Sequence, residues 1–240
     1  MGGGNYECYD KLKISRGTTE VAQHKEINYL GCLFDEKCTG ESMALKVMEK
    51  INGRLKFLWR KIKFLTPLLK RLLCNALIQP HFDYASSAWY PNLQKKLSDK
   101  LQICQNKCIR FCLSLGNRSH IGIKQFKEIN WLPVRDRLEQ NVTTHIFKQQ
   151  NKLAPKYMDE IFTSAYQCKI KTRSSSYKLI LPHCNRVSGH RSISSLVPKL
   201  WNKLPIDIKL SKNPNSFKHK VKMHFFEVLV EENDDCFVYY

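Results

Sequence analysis

The stretch Leu77-Ile78-Gln79-Pro80-His81-Phe82-Asp83-Tyr84-Ala85-Ser86-Ser87-Ala88-Trp89-Tyr90-Pro91 limits the folds open to this chain more than any other. An apolar helix end runs into Pro80, which removes a backbone donor and clashes with the preceding turn, so a helix bends or stops there. Phe82, Tyr84 and Trp89 follow within nine residues, separated by the small residues Ala85, Ser86, Ser87 and Ala88. Small residues let two helices approach, and the three rings are expected to fill the corner where they meet. Pro91 suits the first position of the next helix. The stretch predicts a helix corner inside an apolar core.

Helical periodicity extends on both sides. Over 41–64, Met48, Ile51, Leu55, Leu58, Ile62 and Leu65 recur at alternating spacings of three and four, a heptad-like stripe. Thr66-Pro67 is a cap and first position for a second helix over 68–79, with Leu69, Leu72, Leu73, Ala76 and Leu77 as its core face and Lys70 and Arg71 off it. A third helix over 92–115 carries Leu93, Leu97, Leu101, Cys104, Cys108, Phe111 and Leu115 in register, with Gly116 as its stop. A short fourth helix over 121–129 follows, then a fifth over 133–151 with Val134, Leu138, Val142 and Ile146 inward, and a sixth over 155–162. Near the C-terminus, 192–204 reads as a short helix, and Asn213-Pro214 opens an amphipathic one to about 230, with Phe217, Val221, Phe225 and Leu229 inward. Strand signals are few: 27–34, followed by a turn over 36–40, and 177–181.

Lys and Arg number 40 against 21 Asp and Glu, a net charge of +19. The excess is concentrated. Five of the acids lie beyond Phe226, where no Lys or Arg occurs, so residues 1–226 carry 40 cations against 16 acids, an excess of 24. Between Glu49 and Asp83 there are eight basic residues and no acid. At 100° per residue, Lys50, Arg54 and Lys61 flank the first apolar stripe on one side, and Lys56, Arg60 and Lys63 on the other. Lys70 and Arg71 follow on the second helix. A solvated helix normally mixes both signs to gain pairs at i,i+4. This one does not, which points to an external polyanion, and nucleic acid is the usual one.

Other classes find little support. No apolar run reaches the roughly 18 residues of a membrane span, and the start lacks the apolar core of a signal peptide. Ten cysteines without a secretory signal read as reduced thiols, and the expected setting is intracellular, cytoplasm and nucleus. Cys104, Cys108 and Cys112, one helical turn apart, read as small buried hydrophobes rather than metal ligands. His183, Cys184 and His190, with Cys168 at a distance, come nearer to a zinc pattern but lack a second Cys pair. Asp207-Ile208-Lys209 has the Asp-x-Lys form of some metal nucleases, yet no upstream acidic partner accompanies it, and it reads as a helix or turn. There is no Walker loop, no Gly-x-Ser-x-Gly and no His-Glu-x-x-His.

A series of segments, in order, resembles the region after the polymerase core of non-LTR, LINE-type retrotransposon reverse transcriptases, particularly jockey-like ones. They are Tyr29-Leu30-Gly31; Leu77-Ile78-Gln79-Pro80 with Asp83-Tyr84-Ala85 and Ala88-Trp89; Gln105-Asn106-Lys107 with Ile109-Arg110; Trp131-Leu132-Pro133-Val134 with Arg135 and Arg137; and Leu200-Trp201-Asn202-Lys203-Leu204-Pro205. The resemblance spans about 27–226. It implies a mainly α fold: a helical thumb-like bundle with a short N-terminal strand segment and a smaller α+β C-terminal part. Together with composition, it gives the expected organisation: a Gly-rich leader remnant over 1–26, the thumb-like domain over 27–162, a basic Ser-rich linker over 163–176, the smaller part over 177–230 and an acidic tail over 231–240. It also implies a grip on RNA, an RNA–DNA hybrid or DNA duplex, and a place beside the remainder of the reverse transcriptase.

Polymerase chemistry needs carboxylates holding two divalent metals. In the family these sit upstream of the Tyr-Leu-Gly block, partly in an aromatic-x-Asp-Asp motif. The sole Asp before Tyr29 is Asp10, and the only Asp-Asp pair, Asp234-Asp235, follows Glu232-Asn233 in the acidic tail. No catalytic residue and no metal ligand is assigned. Magnesium would belong to a palm that this sequence does not contain, and the chain alone is expected to be inactive. The expected nucleic-acid contacts are Lys50, Arg54, Lys56, Arg60, Lys61, Lys63, Lys70 and Arg71. Two further readings stand beside this one: a catalytically dead remnant of a truncated element, and a helical protein-interaction domain.

Overall fold

The computed structural model describes residues 14–21, 24–161, 177–183, 185, 189 and 192–231. The linker expected over 163–176, the acidic residues beyond Glu231, Asp10, and the ligand candidates Cys168, Cys184 and His190 lie outside the described residues. Within them the chain is mainly helical, and no helix is long and apolar enough to cross a membrane.

Two antiparallel hairpins come first: β1 (Ile14–Arg16) with β2 (Thr19–Val21), and β3 (Glu26–Tyr29) with β4 (Cys32–Asp35). The single strand expected over 27–34 is thus two strands. Leu30 (φ 49°) and Gly31 (φ 82°) form a two-residue turn between Tyr29 and Cys32, with both residues left-handed as such a hairpin turn requires. The Asp35 carboxylate then closes the turn before the first helix. It accepts from the Thr39 amide (2.8 Å), the Thr39 hydroxyl (3.0 Å) and the Gly40 amide (2.9 Å). Burial opposes its charge, but these hydrogen bonds win and hold its carboxyl below the usual range.

Helix α1 (Glu41–Arg60) buries Met43, Ala44, Val47, Met48, Ile51, Leu55 and Leu58. It ends four residues short of Phe64. Thr66 precedes Pro67 and is extended (ψ 158°), as is Leu65 (ψ 120°), so the last turn tightens into a 3-10 turn over Ile62–Phe64. Helix α2 (Pro67–Leu77) starts as its cap requires, with the Thr66 side chain accepting from the Leu69 amide at 3.3 Å. Its buried face is only partly the expected one, with Leu73 and Leu77 half-buried against the core. Lys70 and Cys74 point inward against α5, while Leu69, Leu72 and Ala76 are exposed. Leucines occupy so much of the circumference that the sequence carries two overlapping apolar stripes, and α5 takes the one through Cys74 and Ile78.

The proline corner forms as α3 (Gln79–Asp83), a left-handed Ala85 (φ 48°), and α4 (Ser86–Trp89). Phe82 and Trp89 are fully buried, and the Trp89 indole donates to the Tyr84 carbonyl at 3.1 Å. Tyr84 departs from expectation: it is 51% exposed, and its hydroxyl donates to the Leu30 carbonyl, tying the β3–β4 turn to the corner. Pro91 lies in the turn after α4 and does not start the next helix.

Helix α5 (Lys95–Cys112) is the central element, packed against α1, α2, α6 and α7. Cys104, Cys108 and Cys112 are buried in it, as small hydrophobes would be. Its stop is Ser114, left-handed at φ 55°, rather than Gly116. Helix α6 (Ile123–Ile129) ends on left-handed Asn130, and α7 (Val134–Gln150) buries Val134, Leu138, Val142 and Ile146 as the periodicity predicts. After α8 (Met158–Ile161) come α9 (Ile193–Lys203), α10 (Ile206–Lys209) and α11 (Pro214–Glu231). Helix α11 lies along α7 and buries Phe217, Val221, Phe226 and Leu229, so Phe226 replaces the expected Phe225 as the fully buried ring.

The core falls into two apolar clusters. The larger runs from Cys32 to Leu138 and includes Phe226 and Leu229; the smaller joins Val142, Ile146 and Phe147 to Leu179, Val197, Trp201, Ile208, Phe217 and Val221. In the smaller cluster Phe147 stacks on Phe217 with ring centres 4.3 Å apart. Over 177–181 the described residues show a single β-bridge position, Leu179, rather than a continuous strand. There the Asn202 amide mimics a neighbouring strand, accepting from the Leu179 N–H and donating to its carbonyl, both at 2.9 Å.

Candidate nucleic-acid interface

The exposed cations gather at the C-terminal end of α1 and just after it. Lys50, Arg54, Lys56 and Arg60 are exposed on α1, and Lys61 and Lys63 are exposed in the following turn. Among the described residues none of these makes an ion pair. The buried stripe of α1 explains their grouping. Ile51, Leu55 and Leu58 face α5, so the side chains between them project outward on the opposite half of the helix.

Arg54 has one partner, donating from Nη1 to the Leu77 carbonyl at 3.1 Å across to the end of α2. That satisfies one of the free carbonyls of a helix C-terminus and favours a cation there. It leaves the remaining guanidinium donors outward. The local field is positive enough to act on a neighbour. His81, at the proline corner, is held below its usual range, first by burial and then by the Arg54 and Lys50 charges.

Two of the eight expected contacts differ. Lys70 is only 5% exposed; its ammonium donates to Ser114 Oγ at 2.8 Å and lies 5.7 Å from the centre of the Phe111 ring. It is therefore a structural cation, holding the end of α5 against α2, and is corrected out of the contact surface. Arg71 is half-buried. The structure thus brings together six of the eight residues as exposed charge.

Three residues along this stretch were missed in the sequence. Phe57 is 57% exposed, Phe64 is 80% exposed, and Gly53 sits mid-helix with open space where its side chain would be. The signal existed: Phe57 falls off the apolar stripe, and Gly53 lies at i−4 from it. Leu68, Leu69 and Leu72 of α2 are exposed as well.

The segments that resemble reverse transcriptases are used differently. They bind one another. Gln102 Nε2 donates to Gln105 Oε1 and Asn106 Oδ1 at 2.9 Å, and Gln102 Oε1 accepts the Val134 amide at 2.9 Å. Gln105 Nε2 donates to the Leu132 carbonyl at 2.9 Å, and the Trp131 indole donates to Asn75 Oδ1 at 2.8 Å. Arg137 grips Asp83 through two hydrogen bonds, at 2.7 and 2.6 Å, with Asn141 adding a third at 3.0 Å. Trp201 donates to the Tyr177 carbonyl at 3.0 Å. These residues fasten α2, α3, α5 and α7 to the loop before α7, and the segment at 177–179 to α9. They are architecture.

Catalytic alternatives find no support in the described residues. Among the buried thiols, burial pushes Cys104 and Cys108 up, and a hydrogen bond with Cys112 followed by burial does the same to Cys74, away from the thiolate form that a nucleophile needs. Asp207 and Lys209 lie on α10 as the helix reading predicts, with the Lys209 ammonium 5.6 Å from the Trp201 ring centre. Among the described residues no group of three or more His, Cys, Asp or Glu side chains is placed to hold a metal. No protein family, curated protein or solved structure matches the chain.

Proposed function

We propose that this chain is the post-palm part, thumb and beyond, of a jockey-like non-LTR retrotransposon reverse transcriptase, and that it grips primer–template or element RNA by the phosphate backbone. The observation that carries the binding half of this reading is the set Lys50, Arg54, Lys56, Arg60, Lys61 and Lys63: six exposed cations, no ion pair among the described residues, and no acid between Glu49 and Asp83. The ordered motifs carry the family half. In this reading the chain works inside the cell, in cytoplasm and nucleus, beside the catalytic palm. The palm would supply the carboxylates and the magnesium.

A backbone grip has a measurable signature. Each phosphate neutralised on duplex DNA releases condensed counterions and contributes about −0.9 to the slope of log affinity against log salt. Arg60→Gln with Lys61→Gln should flatten that slope by up to about two, without altering sequence preference, because phosphate contacts position but do not read bases. Circular dichroism serves as the folding control, since Gln is a fair helix former. An unchanged slope with intact helicity would remove both residues from the contact surface and put the protein-interaction reading ahead.

A further inference from the structure

A phosphate grip accounts for the cations on α1 but not for what lies among them. Gly53 occupies the middle of the solvent-facing half of a 20-residue helix, where nothing lies within 4 Å of its absent side chain. Glycine is the poorest helix former after proline, and no turn, close contact or positive φ calls for it here. Helical neighbours sit at i±3 and i±4, and for Gly53 these are Glu49, Lys50, Lys56 and Phe57, with Arg60 two turns on at i+7. The missing side chain therefore leaves a shallow dimple, floored by backbone and bordered by three cations, one exposed ring and the single carboxylate of Glu49. Phe64, still more exposed, stands in the 3-10 turn beside Lys61 and Lys63.

We infer that this face takes single-stranded nucleic acid, with an unpaired base stacked on Phe57 over Gly53, a second on Phe64, the phosphates between them on Arg60 and Lys61, and the flanking phosphates on Lys50 and Lys56. The inference rests on the nucleic-acid reading above and names the form of its ligand. A paired duplex presents phosphates but keeps its base faces stacked inside, so it gives exposed phenylalanines nothing to bind. An unpaired strand offers both, and every base has a face, so the platform tolerates any sequence. The side chains around the dimple favour this occupant over an acidic helix: a protein helix laid on α1 would need a groove, and Gly53 offers a dimple one residue wide.

The test uses the full chain with a 20-nucleotide dT strand, a 20-base-pair duplex, and a 20-residue abasic strand of equal charge, each followed by fluorescence anisotropy. The expected order is dT strand tightest, with Phe57→Ala and Phe64→Ala each weakening it roughly 5- to 100-fold, the range for one lost base–aromatic stack. The salt slope and the duplex affinity should not move, because no cation is removed. Gly53→Leu should weaken the dT strand while raising the urea midpoint of unfolding, a pairing that a purely structural glycine does not produce. Equal binding of dT and abasic strands, or phenylalanine variants that bind dT like the parent, would overturn the inference while leaving the phosphate grip standing. Failure of the parent chain to bind any of the three polyanions would sink the grip and the inference together. Self-association of the parent chain that Phe64→Ala abolishes, with dT binding untouched, would overturn the inference in favour of a protein-docking face.

Discussion

Gly40 is where the fold is most exposed to a single added carbon. It precedes α1 in a left-handed conformation, φ 74°, and a Cβ built there would sit 2.1 Å from the Trp89 carbonyl oxygen and 2.9 Å from its carbon. Both atoms are backbone, so neither can swing aside, and Trp89 itself is locked in the core. Two costs follow for Gly40→Ala. The left-handed conformation costs a residue with a Cβ about 1–2 kcal/mol. Forcing apart the packed backbones adds about 1–3 kcal/mol, the range for overpacking. The expected loss is about 2–5 kcal/mol, a large share of a typical domain's stability. Gly31→Ala is the control: its φ is 82°, but its Cβ would meet only the Tyr84 side chain, at an ordinary 3.6 Å. It carries the conformational cost alone, and the gain from stiffening the unfolded chain is shared and cancels. Urea unfolding of both variants, followed by tryptophan fluorescence, should therefore place Gly40→Ala at least about 1 kcal/mol below Gly31→Ala, the low end of the overpacking range. Equal losses would refute the Gly40–Trp89 contact and with it the seating of α1 on the proline corner.

Trp89→Ala should cost about 3–5 kcal/mol in the same assay, the range for a large buried aromatic; a loss below about 1 kcal/mol would contradict its burial. Lys70→Met should leave the salt slope of nucleic-acid binding unchanged, unlike Arg60→Gln, because its ammonium is spent on Ser114 and Phe111; a flatter slope would return Lys70 to the surface. Lys222 donates to the Asn130 carbonyl at 2.5 Å, and burial, then Arg137 and Lys218, lower its pKa to about 8. Its pKa is below the unfolded value of about 10.4, so its contribution is fully present above the unfolded value and lost as pH falls through about 8. Stability relative to Lys222→Met should rise between those limits, and a flat difference in urea midpoint from pH 7.5 to 10 would show the lysine to be freely solvated.

The helices and their order were legible in the sequence because each needs only local information. The stripe on α1, the inward set on α7 and the Thr66-Pro67 start of α2 follow from helical period and cap chemistry. So did the concentration of charge, since an acid-free run from 50 to 82 remains acid-free in any fold. What only the tertiary structure decided is which of several adequate faces is used. Helix α2 has leucines around much of its girth, and α5 selected the face that buries Lys70 and leaves Leu69 and Leu72 outside. An isolated helix cannot express that choice, because it depends on the volume left between α5 and its neighbours. The same holds for the polar contacts. Gln102 with Val134, Asp83 with Arg137 and Asn202 with Leu179 join residues 23 to 54 positions apart, and no periodicity links residues across that distance. Tyr84 looked like core because it is aromatic, yet its hydroxyl found the Leu30 carbonyl and stayed at the surface. The sequence by itself determined that this is a helical, strongly basic chain; packing determined that six of its eight clustered cations, and two phenylalanines beside them, face outward.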